Sequence, residues 1–173
     1  MFPVCDSNGR VIGYSARLLP SEEASPSAGG KYINTPQTSV YNKSEVLYGL
    51  DRAKMAIRRE DAAIVVEGNM DVIASHRVGV ENVVASSGTA LSREQVHLLR
   101  RFSRNIFLAF DADPAGESAA KRGIDIALEE GMRIRVITLP EGAGKDPDDC
   151  IRKDPELWRQ AIVAARPIME FYM

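Results

Sequence analysis

A short apolar run that ends in two aspartates most constrains how this chain can fold. Residues 105–110 read Asn-Ile-Phe-Leu-Ala-Phe, and Asp111-Ala112-Asp113-Pro114 follows at once. A run of this length, bounded by charge and proline, is typical of a strand buried on both faces of a parallel sheet. Pro114 suits the first turn of a helix, and Asp113 suits its N-cap. The pattern predicts a strand, a turn and a helix over 114–130.

A second apolar run of the same kind, residues 62–66, ends in Glu67 and Gly68. A charged residue at the last position of an apolar strand is costly in a core but suitable at a crevice. Gly68 permits the tight turn into a helix that is predicted over about 70–78. Asp71 either caps this helix or supports the residues around a metal ion.

Three carboxylates at one edge of a sheet would indicate a metal site. Open parallel α/β sheets bind their ligands at the carboxyl ends of the strands, so Glu67, Asp111 and Asp113 converge if their strands are neighbours. Like charges repel there unless a cation lies between them. Oxygen ligands of this kind suit Mg²⁺ or Mn²⁺. For the two aspartates, a helix cap beside a solvated turn residue remains an open alternative.

Strand and helix patterns alternate through the middle of the chain. Strands are predicted at 62–67, 82–85, 105–110 and 133–139, and helices at 45–59, 70–78, 92–102 and 114–130. This alternation predicts an α/β fold with a parallel sheet of about four strands and helices on both faces. A β-rich segment with a hairpin at Asn8-Gly9 precedes the sheet, and a helical segment follows it. The stretch from Pro20 to Gly30 predicts a mobile loop.

The composition is that of a soluble globular protein. The 173 residues are 45% hydrophobic and 27% charged, and no apolar run approaches the roughly 20 residues of a membrane span. Cys5 and Cys150 are the only cysteines, so neither a disulfide framework nor a zinc cluster is indicated. The net charge of −2 decides little, because bound cations would reverse the sign of the acidic site locally. We expect a cytoplasmic protein that does not enter a membrane.

Two motifs in this order resemble the TOPRIM domain: Glu67-Gly68 after one strand and Asp111-Ala112-Asp113 after a later one. That Rossmann-like domain is shared by bacterial DnaG-type primases, type IA and type II topoisomerases and some small nucleases. Flanking segments favour the primases. They are, in chain order, Met1–Val4, Gly9–Gly13, Lys31–Pro36, Leu47–Leu50, Ala85–Leu91 and Lys145–Asp149. The resemblance spans nearly the whole chain.

The resemblance implies a division of the chain and a set of site residues. Residues 1–43 would end the N-terminal subdomain of a primase core, 44–140 would form the TOPRIM domain, and 141–173 would hold an acidic metal-site segment and begin a helical subdomain. The implied metal ligands are Glu67, Asp111, Asp113, Asp146 and Asp148, with the first three catalytic and with Asp71 and Gly68 supporting them. For Glu67, orientation of the attacking hydroxyl is an alternative role. The residues implied to line the path of template and nucleotide are Arg17, Lys31, Asn34 and Lys43.

Each of these assignments has a plainer alternative. Surface solubility would explain any single basic residue, and Asp146 followed by Pro147 also suits a helix cap. The sequence departs from the family pattern in two places. Asn69 replaces the usual aromatic residue after Glu-Gly, and the glycine-rich turn at 141–144 is longer than is typical.

The implied activity is template-directed synthesis of short RNA primers on single-stranded DNA from ribonucleoside triphosphates, with Mg²⁺ or Mn²⁺ as cofactor. The 3′ hydroxyl of the growing strand attacks the α-phosphorus of the incoming nucleotide. The replicative helicase and single-strand-binding protein would be partners of the full-length protein through regions that this chain lacks. We therefore expect an excised fragment that has no zinc site and whose own primer synthesis is weak or absent.

Two rival functions remain. One is a TOPRIM nuclease or topoisomerase fragment, although none of the five tyrosines has the context of a strand-passage nucleophile. The other is a non-catalytic, response-regulator-like domain that binds magnesium for signalling. The chain lacks the lysine that such a domain would have after its fifth strand. This hypothesis also does not account for the primase-like segments at 31–36 and 145–149.

Overall fold

The computed structural model describes residues 1–17, 32–87, 90–109 and 114–171. The predicted loop from Pro20 to Gly30 lies outside them.

A small antiparallel sheet occupies the N-terminal part. It consists of β1 (Phe2–Cys5), β2 (Val11–Arg17) and β3 (Tyr32–Asn34), in that order. β1 and β2 form the hairpin predicted from Asn8-Gly9. The carboxylate of Asp6 closes its turn by accepting the backbone N–H groups of Asn8 and Arg10 at 2.9 and 3.0 Å. The hydrogen bond from the Arg10 N–H is the main cause that lowers the pKa of Asp6.

A five-stranded sheet forms the centre of the fold. Its strands are β4 (Ala63–Val66), β5 (Val83–Ala85), β6 (Asn105–Ala109), β7 (Arg133–Val136) and β8 (Arg166–Pro167). The spatial order is β5-β4-β6-β7-β8, with the first four parallel and β8 antiparallel to β7. The predicted parallel sheet is confirmed. β8 was not predicted, because two residues leave no periodic pattern, and its proline is tolerated on an edge strand.

The helices match the predicted positions with one clear exception. They are α1 (Leu50–Glu60), α2 (Asn69–Arg77), α3 (Arg93–Arg100), α4 (Pro114–Glu129), α5 (Pro147–Lys153) and α6 (Pro155–Val163), with 3₁₀ helices at Lys43–Glu45 and Ile168–Phe171. α1 begins at Leu50 rather than at Glu45. The backbone of Tyr48 forms an antiparallel bridge with Ala85 of β5, with N···O distances of 2.9 and 3.1 Å. A residue whose N–H and C=O pair with a strand cannot belong to a helix.

Helices cover both faces of the large sheet, as predicted. α1, α3 and α4 pack on one face, and α2, α5 and α6 pack on the other. β4 supplies both sides of the core, with Ala63 and Val65 facing one set of helices and Ile64 and Val66 facing the other. None of the helices in the described ranges is long and apolar enough to cross a bilayer.

Candidate functional site

Glu67 and Gly68 follow β4 directly, at the carboxyl edge of the large sheet. All four residues of β4 are buried, and Glu67 is the first partly exposed residue after them. Gly68 precedes α2 in an extended conformation, with φ −104° and ψ 150°. A Cβ atom at residue 68 would lie 2.7 Å from Oδ2 of Asp71. Glycine at this position therefore lets the Asp71 carboxylate approach the backbone.

Asp71 joins two segments that lie far apart in the sequence. The residue is only 6% exposed. Its Oδ2 accepts a hydrogen bond from the Gly68 N–H at 3.1 Å, which caps the start of α2, and its Oδ1 accepts one from the Asp148 N–H at 3.0 Å. The carboxylate thus holds the segment 146–149 against the loop after β4. The capping role is observed, and a role beside a metal ion stays a prediction.

Asp146 and Asp148 both have partners within α5. Oδ1 of Asp146 accepts the Asp149 N–H at 2.8 Å as the N-cap, and Pro147 occupies the first turn. The helix-cap alternative for Asp146 is therefore confirmed, and this cap leaves Oδ2 for a further ligand. The carboxylate of Asp148 forms an ion pair with Arg152, in which Oδ1 lies 3.1 Å from Nε.

The Arg152 partner was not identified from the sequence. The spacing of four residues between an acidic and a basic side chain on a predicted helix is the signal that could have found it. The side chain of Asp148 is 13% exposed, whereas that of Arg152 is 60% exposed. A metal ion bound by Asp148 would have to share this carboxylate with Arg152 or displace the guanidinium.

Asp111 and Asp113 follow β6 and lie outside the described residues, so their approach to Glu67 stays a prediction. β6 is hydrogen-bonded to β4 in parallel register, with Val66 opposite Ala109. The two strands therefore end side by side at one edge of the sheet. Within the described ranges, no group of three or more His, Cys, Asp or Glu side chains is placed to hold a metal ion.

The loop after β5 contacts the first turn of α2 beside this edge. Ser87 has a left-handed backbone (φ 60°), and its hydroxyl donates a hydrogen bond to Oδ1 of Asn69 at 2.9 Å. Asn69 is 4% exposed. Asn69, which replaces the family's usual aromatic residue, is thus a buried amide with a hydrogen-bond partner. This bond links the loop after β5 to the first turn of α2, a contact that the sequence did not predict.

Two of the four residues predicted to contact nucleic acid share one face of the small sheet. Ser15 lies opposite Asn34 and Arg17 lies opposite Tyr32 in the β2–β3 pair. Opposed residues point to the same face, as do residues two apart in a strand, so Arg17 and Asn34 lie on the same face. Lys31 lies outside the described residues.

Lys43 belongs to a segment that packs against this face. The ring of Tyr41 lies so close to Gly13 that a Cβ atom there would be 3.3 Å from it. Gly13 precedes Ser15 by two residues and therefore shares its face. The structure brings the segment that carries Lys43 to the side of the small sheet that carries Arg17. Nucleic-acid contact by these residues stays a prediction.

Comparison with known proteins decides the family. A model described as Toprim-like matches residues 64–151, which is about half of the chain, and a model of the N-terminal domain of the DNA primase catalytic core matches residues 1–54. The DNA primase of Synechococcus elongatus is 43% identical over 174 aligned residues, which cover 97% of this chain. The chain belongs to the Toprim-like family and, within it, to the DnaG-type primases.

Solved structures of DnaG-type primases share the fold. A DNA primase domain from Pseudomonas aeruginosa matches with a TM-score of 0.86 and 40% identity, covering 99% of this chain and 53% of that one. A DnaG primase catalytic domain bound to single-stranded DNA matches with a TM-score of 0.81 and 36% identity, covering 96% of this chain and 51% of that one.

The match to DnaG-type relatives is partial in length. The chain spans 24% of the Synechococcus elongatus primase and 27% of the primase of Clostridium acetobutylicum. It therefore spans about a quarter of the length of these curated relatives. The predicted division into residues 1–43, 44–140 and 141–173 stays a prediction.

Proposed function

We propose that this chain carries part of the active site of a DNA primase, which synthesises short RNA primers on single-stranded DNA from ribonucleoside triphosphates. Family membership supports the reaction class. One structural observation supports the location of the site: Asp71 accepts hydrogen bonds from the N–H groups of both Gly68 and Asp148. This carboxylate brings the loop after β4 and the acidic start of α5 to the same edge of the large sheet.

We propose that Mg²⁺ or Mn²⁺ is held at this edge by Glu67, Asp111, Asp113, Asp146 and Asp148. The donor atoms are all carboxylate oxygens, which suit these cations better than zinc. The neighbouring ends of β4 and β6 support a position for Asp111 beside Glu67. When bound, such a cation lowers the pKa of the attacking 3′ hydroxyl and neutralises the departing pyrophosphate. Asp71 and Gly68 position the carboxylates around it.

Three basic residues and one asparagine supply the second part of the proposal. Arg17, Lys31, Asn34 and Lys43 would contact phosphate groups of the template and of the incoming nucleotide. Phosphate contacts fix the position of a nucleic acid without reading its sequence. The shared face of Arg17 and Asn34 supports one path for a single strand across the small sheet.

The proposed template is single-stranded DNA, which a related DnaG catalytic domain binds. The RNA primer is the product. Helicase and single-strand-binding protein would meet the full-length protein through regions outside this chain. We propose a cytoplasmic location, because a bacterial chromosome is copied there. The level of primer synthesis by this chain alone stays a prediction.

Manganese binding tests the metal assignment directly. We expect Asp111→Asn and Glu67→Gln each to weaken Mn²⁺ binding, followed by electron paramagnetic resonance, by at least about tenfold, because even supporting residues cause losses of that size. Asp125→Asn, an exposed aspartate of α4, is the matched control and should bind Mn²⁺ as the parent does. Unchanged affinity in Asp111→Asn would overturn the assignment.

A nicking assay separates the proposal from the nuclease alternative. The chain is incubated with supercoiled DNA and Mn²⁺, and the fraction of relaxed circles is measured on a gel. A primase site should leave the DNA intact. Nicking that disappears in Glu67→Gln would favour a Toprim nuclease instead.

A further inference from the structure

A cavity of about 450 Å³ lies between β1 of the small sheet, the start of α1, and α2. Its lining includes Cys5 of β1, Tyr48 and Arg52 around the start of α1, and Ile73, His76 and Arg77 of α2. Sites for small molecules have volumes of roughly 300–1,000 Å³. The cavity is therefore large enough for a molecule of nucleotide size.

This cavity is separate from the candidate metal site. None of its lining residues is a predicted metal ligand. In the parallel β4–β5 pair, Ile64 lies opposite Val83 at the amino ends of the strands. Nε2 of His76 lies 2.9 Å from the carbonyl oxygen of Val83. The His76 side of the cavity thus adjoins the amino end of β5, whereas Glu67 follows the carboxyl end of β4.

Two arginines, Arg52 and Arg77, give the cavity positive charge, and neither side chain has an ion-pair or hydrogen-bond partner within the described ranges. Other exposed arginines of the helices, such as Arg59 and Arg159, do pair with carboxylates. Asp51 also lines the cavity and offsets one of the two charges. The remaining charge favours an anionic ligand.

Two uncharged side chains of the cavity, Tyr48 and His76, can also form hydrogen bonds with a ligand. The hydroxyl of Tyr48 has no hydrogen-bond partner among the described residues. Burial raises the pKa of Tyr48, so this hydroxyl remains a donor at neutral pH. The Val83 carbonyl can only accept, so Nε2 of His76 carries a proton and donates to it, which leaves Nδ1 for a ligand.

We propose that this cavity binds a small phosphorylated ligand of about nucleotide size. Each guanidinium presents paired N–H donors that fit two oxygens of a phosphate group, and two guanidinium groups fit a ligand with more than one negative charge. Val72 and Ile73 supply apolar contact for the rest of the molecule. The inference goes beyond the primase reaction and does not rest on it.

Cys5 is a built-in reporter for occupation of the cavity. It is partly exposed and lines the cavity, whereas Cys150 is fully buried. A disulfide reagent such as DTNB should therefore modify Cys5 first, and a bound ligand should slow this reaction. EDTA is present throughout, so that binding through the proposed metal site does not contribute. The probes are inorganic pyrophosphate, ATP, adenosine and a single-stranded oligodeoxynucleotide.

We expect pyrophosphate or ATP to protect Cys5 and adenosine not to protect it. Arg52→Gln and Arg77→Gln should each raise the half-protecting concentration by about tenfold, the usual effect of losing one charged hydrogen bond. Arg59→Gln removes the same charge from α1, the helix that carries Arg52, but outside the cavity, and it should change nothing. Burial raises the pKa of Cys5 and Arg52 lowers it, so rates are compared with and without probe in each variant.

The contrary outcomes are distinct. Absence of protection by both phosphate compounds, equal protection by adenosine, or protection that survives both arginine substitutions would overturn the proposal. Protection by the oligodeoxynucleotide alone would assign the cavity to nucleic acid and also overturn it. Tyr48→Phe, which keeps the ring, is a second test and should raise the half-protecting concentration less than the arginine variants. Mn²⁺ affinity is measured in the same variants. If it is unchanged, the metal site is intact, and any change in the protection of Cys5 comes from the cavity.

Discussion

The carboxyl edge of the large sheet carries Glu67, Asp71, Asp146 and Asp148 and is called the acidic edge. Carboxylates at this edge have different partners from those beside α3 and α4. At the acidic edge, Asp71 is 6% exposed and accepts hydrogen bonds from two backbone N–H groups. Beside α3 and α4, Glu130 contacts the side chains of Arg93, His97 and Arg100, which are 42–56% exposed. Asp71 and Asp146 in the first region accept from fixed backbone donors, whereas Glu130 in the second contacts long exposed side chains.

The two kinds of partner should stabilise the fold by different amounts. Backbone N–H groups are already ordered, whereas a long side chain loses rotamer freedom when it forms a pair. Removing a buried acceptor also leaves its donors without partners, which costs far more than the loss of an exposed ion pair. Substitutions in the two regions test this comparison.

Asp71→Ala should have the largest effect. The substitution leaves the N–H groups of Gly68 and Asp148 without their acceptor in a buried place, and we expect the free energy of unfolding to fall by about 3 kcal/mol. Urea denaturation measures this change. Asp71→Asn keeps one acceptor oxygen and should lose less. A loss below about 1 kcal/mol in Asp71→Ala would show that burial does not separate the two regions.

Gly144→Ala tests the backbone that supports the acidic edge. Gly144 has φ +136°, and an added Cβ atom would lie 2.7 Å from Cβ of Asp149 and 3.1 Å from the Cys150 nitrogen. We expect a loss of about 2 kcal/mol in the free energy of unfolding. The control is Gly142→Ala, where φ is +75° and no atom lies within 4 Å, and its loss should be about 1 kcal/mol. Equal losses would contradict the close packing of Gly144.

Arg152→Gln tests an ion pair that is as exposed as those of Glu130, and its expected result rests on the proposed metal site. Because Arg152 occupies the Asp148 carboxylate, its removal should tighten Mn²⁺ binding several-fold, measured by calorimetry. The free energy of unfolding should change by less than about 1 kcal/mol. Arg159→Gln removes a comparable pair with Glu156 in α6 and should leave Mn²⁺ affinity unchanged. Weaker binding in Arg152→Gln would show that the arginine orients the carboxylate instead of competing for it.

Glu130→Gln should have the smallest effect, and that effect should depend on pH. The hydrogen bond with His97 is the main cause that lowers the pKa of Glu130 from its ordinary value of 4.5. A carboxyl with a lowered pKa stabilises the fold fully above its unfolded pKa, and this contribution is lost as the pH falls through the folded pKa.

The melting temperatures of the parent and Glu130→Gln should therefore differ slightly near pH 7 and converge below about pH 4. Glu129→Gln, whose side chain is 62% exposed, is the control on the neighbouring residue. A difference that stays constant down to low pH would contradict the role of the ionised carboxylate.

Much of the candidate site could be predicted because its signals are local. Glu67 ends an apolar run, and Asp146 precedes a proline at a helix start. The place of each residue at the end of a strand or the start of a helix can therefore be predicted from a few neighbours. The Asp71–Asp148 hydrogen bond spans 77 positions. No short pattern announces such a contact, because it forms only when α2 and α5 pack on the same face of the sheet. The approach of Asp111 and Asp113 to Glu67 stays a prediction.

Most of the strands, most of the helices and the N-terminal hairpin follow from the sequence alone, because hydrophobic periodicity and turn residues act over a few positions. The start of α1 depends on the tertiary structure, because Tyr48 pairs with the edge strand β5 instead of joining the helix. The tertiary structure also decided that β8 completes the sheet and that one buried carboxylate joins two acidic segments. These features depend on contacts between distant parts of the chain. The free energy of those contacts outweighs the local conformational preferences that a sequence pattern reflects.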